Sequence, residues 1–565
     1  MGGTCQHENK PVPLEPFSYT ERPDLGQWKL FNVKVANPNV ISSPACNRRR
    51  YLEWACPALL HRNPTVVMQH CPHNVYDSII HRYLKSTPQP SSIHWGLVER
   101  LIDRLAVRTA DEYVPFDGAN YLNRKTGRVR ARYAAAHRDL LRDGFQMERD
   151  SDIKGFVKLE RYFDETKAPR MILGRNPKFN VMYAQIIEPI ETAFFKLDEV
   201  ANGKDHHSMG EAFAKIAGRC RHFVENDMSK YESSQRFTVL KIEFLFYYKL
   251  LKLVEPSTIP LLYKAYAMCL VNKVKTSVGV MFSFILCRVS GDLTTSLGNG
   301  VINLITTQYN QIMNTCDYKS CGLDLCQNPH CRMRDILVKG DDGVLGRNPN
   351  QKFENYYKCF GLDAKIVLKE SADEVEFCSG GFIEVGGDRY VYVQKLQKLI
   401  ESLTTCINQD ALDHGWVSQY YQSLGLMYKV VYRGVPIYEA IADFLLQTNP
   451  KLGVNTNLVS SYNLLDAYQA EHHAVPIDSS TARLSVSLVN QMDYAELNRI
   501  ETWMRSNRLE FPEHLKKRCN TKNVKAADVP TIDFKYLNDQ FMKSNLTKDV
   551  QNWHNKLVGL SRVNY

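Results

Sequence analysis

The run Val338-Lys339-Gly340-Asp341-Asp342-Gly343-Val344-Leu345 constrains this chain more than any other stretch. Ile336-Leu337-Val338 and Val344-Leu345 read as two short strands. Gly-Asp-Asp-Gly between them reads as a hairpin turn with the carboxylates at its tip. Two adjacent carboxylates at a tight turn repel each other. A divalent cation offsets that repulsion, and hard oxygen ligands suit magnesium or manganese. An ordinary Asp-Gly turn has the same letters, so the rest of the chain must decide between them.

A second carboxylate is placed to complete such a site. Phe223-Val224 read as the end of a strand, followed by Glu225-Asn226-Asp227-Met228-Ser229-Lys230-Tyr231-Glu232. Asp227, brought beside Asp341 by an adjacent hairpin, would close an oxygen cage for two cations. Such pairs clamp the attacking and leaving oxygens of an in-line phosphoryl displacement. A third element is Ser290-Gly291-Asp292-Leu293-Thr294-Thr295-Ser296-Leu297-Gly298-Asn299, a turn entering a helix marked by Leu297, Val301, Leu304, Ile305 and Ile312. Thr295 and Asn299 are four apart and share one face of that helix. The face suits a ribose, or it is simply the polar start of a helix.

Cations are clustered. The net charge of +10 is modest for 565 residues, so placement matters more than the sum. Arg124, Lys125, Arg128, Arg130, Arg132, Arg138 and Arg142 form one band, with Tyr121 and Tyr133 among them. Phosphates and unpaired bases suit that mixture, and so does a solvated helix face. A second basic segment, residues 154–178, alternates cations with apolar residues as a half-buried ribbon does. In it Lys158, Lys167, Arg170 and Arg175 would line a channel for a polyanion, or simply be solvated. Hydrophobic content of 44% and charged content of 23% describe a soluble globular protein of several domains. Phe237 to Val254 comes nearest to a membrane span but is broken by Lys241, Glu243, Lys249 and Lys252. The first residues are polar and Pro-rich, unlike a secretory signal. Fifteen cysteines without such a signal suggest free thiols in a reducing compartment.

In order, Asp227-x4-Glu232, Ser290-Gly291-x3-Thr295-x3-Asn299 and Gly340-Asp341-Asp342 resemble motifs A, B and C of RNA-dependent RNA polymerases of positive-strand RNA viruses. The wording is most similar to the tombusvirus-like group. Lys167-Ala168-Pro169-Arg170 resembles motif F, Glu376-Phe377-Cys378-Ser379 the opening of motif E, and Gly127-Arg128-x-Arg130-Ala131-x-Tyr133 an upstream finger motif. The resemblance covers residues 120–400. It implies an α+β right-hand fold: an N-terminal extension (1–92), fingers (93–220), a palm with a finger insertion (221–395), and an α-rich thumb with a C-terminal tail (396–565).

The resemblance implies that Asp227 and Asp341 ligate two Mg2+ or Mn2+ ions, supported by Asp342. Glu232, Thr295 and Asn299 would recognise the 2′-hydroxyl. Glu232 stands where the family usually has Asp. Ser290 and Gly291 would form a mobile template-tracking turn. Lys158, Lys167 and Arg170 would hold the incoming NTP, and Lys365 would protonate the departing pyrophosphate, with Lys369 as a rival. Lys339 and Gly343 stand where the group often has Asn and Cys. The implied partners are single-stranded viral RNA template, its product strand, NTPs and other viral replication proteins that supply membrane tethering. The implied location is the host cytoplasm, in membrane-associated replication complexes. A reverse transcriptase and a non-catalytic RNA-binding replication protein are the alternatives.

Between motifs B and C lie Cys316, Cys321, Cys326, His330 and Cys331. They suit a structural zinc ion or a free-thiol hairpin insertion. Downstream, Phe353, Tyr356, Tyr357 and Phe360 mark a helix ending at Gly361. Residues 382–385 and 390–393 read as a hairpin that would hold the growing 3′ end. Helical spacing then dominates at Leu396, Leu399, Ile400 and Leu403, at Ile437, Ile441, Phe444 and Leu445, and at Leu497, Ile500 and Trp503. The last thirty or so residues read as weakly ordered.

Overall fold

Strand His222–Met228 lies inside a four-stranded antiparallel sheet, between Asp342–Arg347 and Ala364–Lys369, with Ile336–Lys339 outermost. The structure is a computed structural model that describes residues 18–20, 30–35, 47–48, 66–68, 70–83, 87–125, 127–162, 167–328, 331–404, 414–447, 476–508 and 534–561. Both faces of the sheet are covered. Val224, Val338 and Leu345 join Val301, Leu304 and Ile305 of helix Thr295–Thr315 in one core. Phe223, Leu337 and Val344 join Phe213 of helix His206–Ala217 and Phe382 in another. Period-two alternation sends neighbouring residues to opposite faces, which accounts for the near-continuous apolar runs in these strands. Helix Thr295–Thr315 is buried around its whole circumference from Leu297 to Ile312, polar residues included.

The second basic segment folds as the expected ribbon. Ile153–Val157 pairs antiparallel with Met171–Arg175, and its residues alternate buried and exposed. The ribbon extends through a parallel pairing with Val271–Thr276, then through Val280–Ile285 to Leu30–Val35 and Ser18–Thr20. Phe237–Val254, the apolar run nearest to a membrane span, is a core helix. Among the described residues no helix is long and apolar enough to cross a membrane. Helix Trp95–Ala110 buries Leu97, Leu101, Ile102 and Leu105, as their spacing requires. Mixed helices and antiparallel sheets make this an α+β fold.

Strands Gly380–Glu384 and Tyr390–Gln394 form the expected hairpin. After it, helices Leu396–Thr404, His414–Val431, Tyr438–Leu446, Ser479–Asn490 and Tyr494–Ser506 share their own core, including Leu396, Leu399, Ile400, Ile441, Phe444, Leu497 and Ile500. Two expectations need correction. The helix expected over Phe353–Phe360 is only a 3-10 turn, Tyr356–Phe360, which buries Tyr357 and Phe360 and ends at Gly361 with φ +77°. The expected weakly ordered stretch near the chain's end carries helices: Phe534–Lys543 and Lys548–Leu560 pack back on the first core. Phe541 lies edge-on to Phe145 at 4.9 Å, and Lys264 Nζ donates to the Ser544 carbonyl at 2.6 Å. Sparse apolar residues misled the sequence reading, because Val550, Trp553 and Leu557 still fall on one buried face.

Leu557 is fully buried. Leu557→Ala should therefore destabilise the folded chain by about 2–5 kcal/mol, read as a fall in the chemical-denaturation midpoint. The exposed change Asn555→Ala should leave the midpoint nearly unchanged. Equal effects would show that the terminal helix is not docked.

Candidate active site

The Gly-Asp-Asp run is a two-residue turn. Lys339 pairs with Asp342, leaving Gly340 and Asp341 at the tip, and Gly340 takes φ +63°, where a glycine is comfortable. The next register decides the chemistry: Asp342 is directly opposite Asp227, and Asp227 is directly opposite Lys365. Directly opposed residues share a face, so Lys365, Asp227 and Asp342 form a row across three strands. Asp227 lies within its strand rather than just beyond it, as the sequence suggested. Burial and the neighbouring carboxylates push Asp341 up to about 6; Asp342, Glu232 and Asp227 all contribute. Asp342 is likewise pushed up to about 6 by burial and by Asp227, while the Cys378 thiol and Lys398 pull it down. Crowded, partly desolvated carboxylates are a donor set for hard divalent cations.

The turn is held from beneath. Asn303, on helix Thr295–Thr315, donates to the Gly340 and Asp342 carbonyls at 3.1 and 3.0 Å, and its own oxygen accepts from Asn226 at 3.2 Å. A Cβ at Gly343 would come within 2.2 Å of Asn226 Oδ1. The residue after Gly-Asp-Asp is therefore glycine because Asn226 fills the space a side chain would need.

In front of Asp341 lies a cavity of about 240 Å3 lined by Lys158, Arg170, Glu232 and Ser290. Arg82, Tyr83 and Lys230 also line it, and sequence reasoning missed all three. Arg82 donates to the Ala168 and Pro169 carbonyls, and Lys230 donates to the His81 carbonyl at 2.6 Å. These side chains pin residues 81–83 beside the motif F loop. Nothing in the local pattern around Arg82-Tyr83 marks it, since an Arg-Tyr pair is ordinary on any surface. Lys158 pairs with Glu160 at 2.9 Å, and Arg170 lies 3.9 Å from the same carboxylate. Lys167 is exposed.

Motif B is stitched to the motif F strand. The Ser290 hydroxyl donates to the Met171 carbonyl at 2.9 Å and accepts from Leu173 N–H at 3.2 Å. Gly291 N–H donates to the Leu173 carbonyl at 3.0 Å, and a Cβ there would sit 2.7 Å from that oxygen. Arg175 does not line a channel, contrary to expectation. It is fully buried, donates to Asp292 from Nε and Nη2, and reaches Asn272 at 2.7 Å. Alternation along the strand sends it inward, where a carboxylate partner makes burial tolerable.

Thr295 donates to the Val289 carbonyl at 2.7 Å, and buried Asn299 accepts from Gln235 at 2.6 Å. A polar chain continues from Gln235 to Arg288 at 2.8 Å and on to Glu243 at 2.6 Å, whose carboxylate also accepts from Tyr247 and Tyr266. Glu232 lines the cavity; its two expected companions stand on the adjoining helix. Lys369 is engaged by Glu225 at 3.5 Å, whereas Lys365 is exposed in the carboxylate row. Part of the upstream basic band is also engaged: Arg124 and Lys125 both pair with Glu188. The sulfurs of Cys316, Cys321, Cys326 and Cys331 converge, while His330 lies outside the described residues.

The chain also resembles known proteins over most of its length. Residues 60–511 match the family model described as viral RNA dependent RNA polymerase. The chain is similar to the RNA-directed RNA polymerase of Groundnut rosette virus (strain MC1), with 25% identity over 366 residues, covering 60% of this chain and 40% of that protein. That of Tomato bushy stunt virus (strain Cherry) is 22% identical over 517 residues, covering 84% and 58%. That of Turnip crinkle virus is 26% identical over 318 residues, covering 53% and 38%. The chain thus spans roughly half the length of the relatives it matches. A match over residues 60–511, together with the carboxylate register, establishes that the chain belongs to the viral RNA-dependent RNA polymerase family, on the tombusvirus-like side of it.

Proposed function

We propose that this chain is an RNA-directed RNA polymerase that replicates and transcribes a positive-strand viral genome. It transfers a nucleoside monophosphate from an NTP to an RNA 3′-hydroxyl on a single-stranded RNA template. The observation that carries the reading is the register that sets Asp342 against Asp227, with Asp341 on a cavity whose other wall holds Lys158 and Arg170. In this reading the four-stranded sheet is the palm, the 153–175 ribbon belongs to the fingers, and the helices from residue 396 form the thumb.

In this reading Asp227 and Asp341, with Asp342 in support, would hold two Mg2+ or Mn2+ ions. Bound there, the ions would acidify the 3′-hydroxyl and neutralise the leaving pyrophosphate. The chain's own groups do the rest. Lys158 and Arg170 bind the triphosphate, on a loop that Arg82 holds in place; the planar Arg170 guanidinium can grip two oxygens at once. Lys167, exposed on the same loop as Arg170, draws the polyanion in. Glu232 accepts from the ribose hydroxyls, with Asn299 and Thr295 shaping the wall behind it. Ser290 and Gly291 couple the template side to the motif F strand. Lys365, in the row with Asp227, holds the proton for pyrophosphate. Tethering by other viral replication proteins would place the enzyme in membrane-associated complexes in the host cytoplasm.

Asp227→Asn and Asp341→Asn should each cut primed or primer-independent RNA synthesis by about a thousandfold, several kcal/mol of transition-state stabilisation. RNA binding measured on the same protein should persist. Unaltered synthesis would remove the carboxylates from catalysis, and a parent protein that binds RNA without extending it would be a replication scaffold instead. Glu232→Ala should lower the preference for NTPs over dNTPs by about tenfold, the worth of roughly one lost hydrogen bond. Efficient dNTP extension by the parent would favour a reverse transcriptase.

The crowding also has a sign in stability. A carboxyl raised in the folded state penalises folding above that pKa, and the penalty fades as pH falls toward the unfolded value. Without divalent ions at about pH 7, Asp341→Asn should therefore be more stable than the parent by on the order of 1–2 kcal/mol, after allowance for solvent screening. The gap should narrow as pH falls through about 6 and close as it approaches the unfolded value of 3.8. A gap independent of pH between these limits would show that charge crowding is not its cause.

A further inference from the structure

The segment between helix Thr295–Thr315 and strand Ile336–Lys339 carries cysteines at 316, 321, 326 and 331, each five residues after the last. Their four sulfur atoms all lie within 4.8 Å of one another, and Cys316 Sγ is 3.7 Å from Cys326 Sγ. Disulfide bonding requires about 2.05 Å, so these are separate thiols. Four sulfurs held about 2.3 Å from one tetrahedral ion stand about 3.8 Å apart, which matches the Cys316–Cys326 separation. Sulfurs this close surround one ion rather than a cluster of irons.

Backbone and side-chain amides face the sulfurs. Leu323 N–H points at Cys321 Sγ, Asn328 N–H points at Cys326 Sγ, and the Asn328 side-chain amide reaches Cys316 Sγ at 3.4 Å. The two backbone contacts both run from the residue two positions after a cysteine, a turn that wraps the chain round each sulfur. Among its described residues the segment holds one short 3-10 turn, Leu323–Leu325, and Leu325 is 82% exposed. Cys321 and Met333 reach the first core, and a metal held by the four thiols would add a cross-link within the segment itself.

We propose that Cys316, Cys321, Cys326 and Cys331 bind one structural zinc ion, without His330. Four thiolates close the coordination sphere and leave no open position for catalysis. The ion fastens the segment to helix Trp95–Ala110. Arg100 of that helix donates to the Cys321 carbonyl at 2.8 Å and to the Tyr318 carbonyl at 2.6 Å. Arg104 forks onto Asp324 at 2.5 and 2.7 Å. Only residues 332–335 separate Cys331 from the strand that leads to Asp341. The zinc therefore fixes the base from which the carboxylate hairpin springs, and the inference stands independently of the reaction assigned to that hairpin.

Elemental analysis of the full chain purified under reducing conditions should give about one zinc per chain. Replacing the zinc with Co2+ should produce the charge-transfer and d–d absorption of a tetrahedral tetrathiolate site. Cys326→Ser and Cys331→Ser should each lose the bound zinc, and His330→Ala should keep it. The cobalt spectrum is taken on the parent protein, so the proposal stays exposed if a serine variant fails to fold. It would be overturned by a folded parent with no stoichiometric zinc, by stoichiometric iron instead, by a cobalt spectrum with nitrogen or oxygen ligands, or by loss of metal in His330→Ala.

Discussion

Repulsion among Asp227, Asp341 and Asp342 is the condition the rest of the molecule has to meet. Left to itself, a hairpin tip with two carboxylates would open to let water screen them. Here the backbone of the tip is fastened by a side chain from another element. Asn303 takes the Gly340 and Asp342 carbonyls with one amide and is itself fixed by Asn226. Met228 N–H adds a bond to the Asp341 carbonyl at 3.3 Å. The charges cannot relax apart without breaking buried hydrogen bonds, and each buried group left unpaired costs about 1–3 kcal/mol. The same logic explains why helix Thr295–Thr315 is polar yet buried: Asn303 and Gln311 bond to the hairpin, and Thr307 donates to the Asn303 oxygen.

Two further buried ion pairs carry the rigidity outward. Arg175–Asp292 joins the motif F strand to the turn before the long helix, and Arg288–Glu243 joins that turn to helix Phe237–Val254. Replacing such a pair with apolar residues is often neutral, so their value here is not raw stability. Breaking one partner alone would strand a charge in the core. They therefore fix the geometry of Ser290, Gly291 and Asn299, since a displaced turn would unpair both arginines at once.

What was legible in the chain was mostly local. Gly340 to Gly343 announced a hairpin because turn chemistry is written in adjacent residues, and the 153–175 ribbon was readable from its alternation. The opposition of Asp227 and Asp342 was not readable, because register is set by packing on both faces of the sheet rather than by either strand alone. Arg175 was misread for a related reason: a cation in a polar-looking ribbon is taken as solvated until its partner, 117 residues away, is seen. Arg82 and Tyr83 were invisible, being ordinary residues that acquire a role only through contact with residues near 168–171 and 290. The terminal helices erred in the other direction, since three well-placed apolar residues suffice to dock a helix that is otherwise polar.

The hairpin's outer strand poses a last problem that the fold solves by bracing. Ile336–Lys339 is an edge strand that ends two residues before Asp341, and an open edge invites slippage or pairing with other chains. Residues 199–201 cover it: Val338 N–H donates to the Glu199 carbonyl, and Ala201 N–H donates to the Val338 carbonyl, both at 2.9 Å. Glu199 is in turn gripped by Arg108 at 2.6 Å, on the same helix whose Arg100 and Arg104 hold the cysteine segment. One helix thus controls the outer strand from its flank and from the segment that leads into it. Motion of the carboxylate hairpin relative to helix Trp95–Ala110 would break both sets of contacts together, so the stiffness of the site resides as much in this helix as in the sheet that displays the carboxylates.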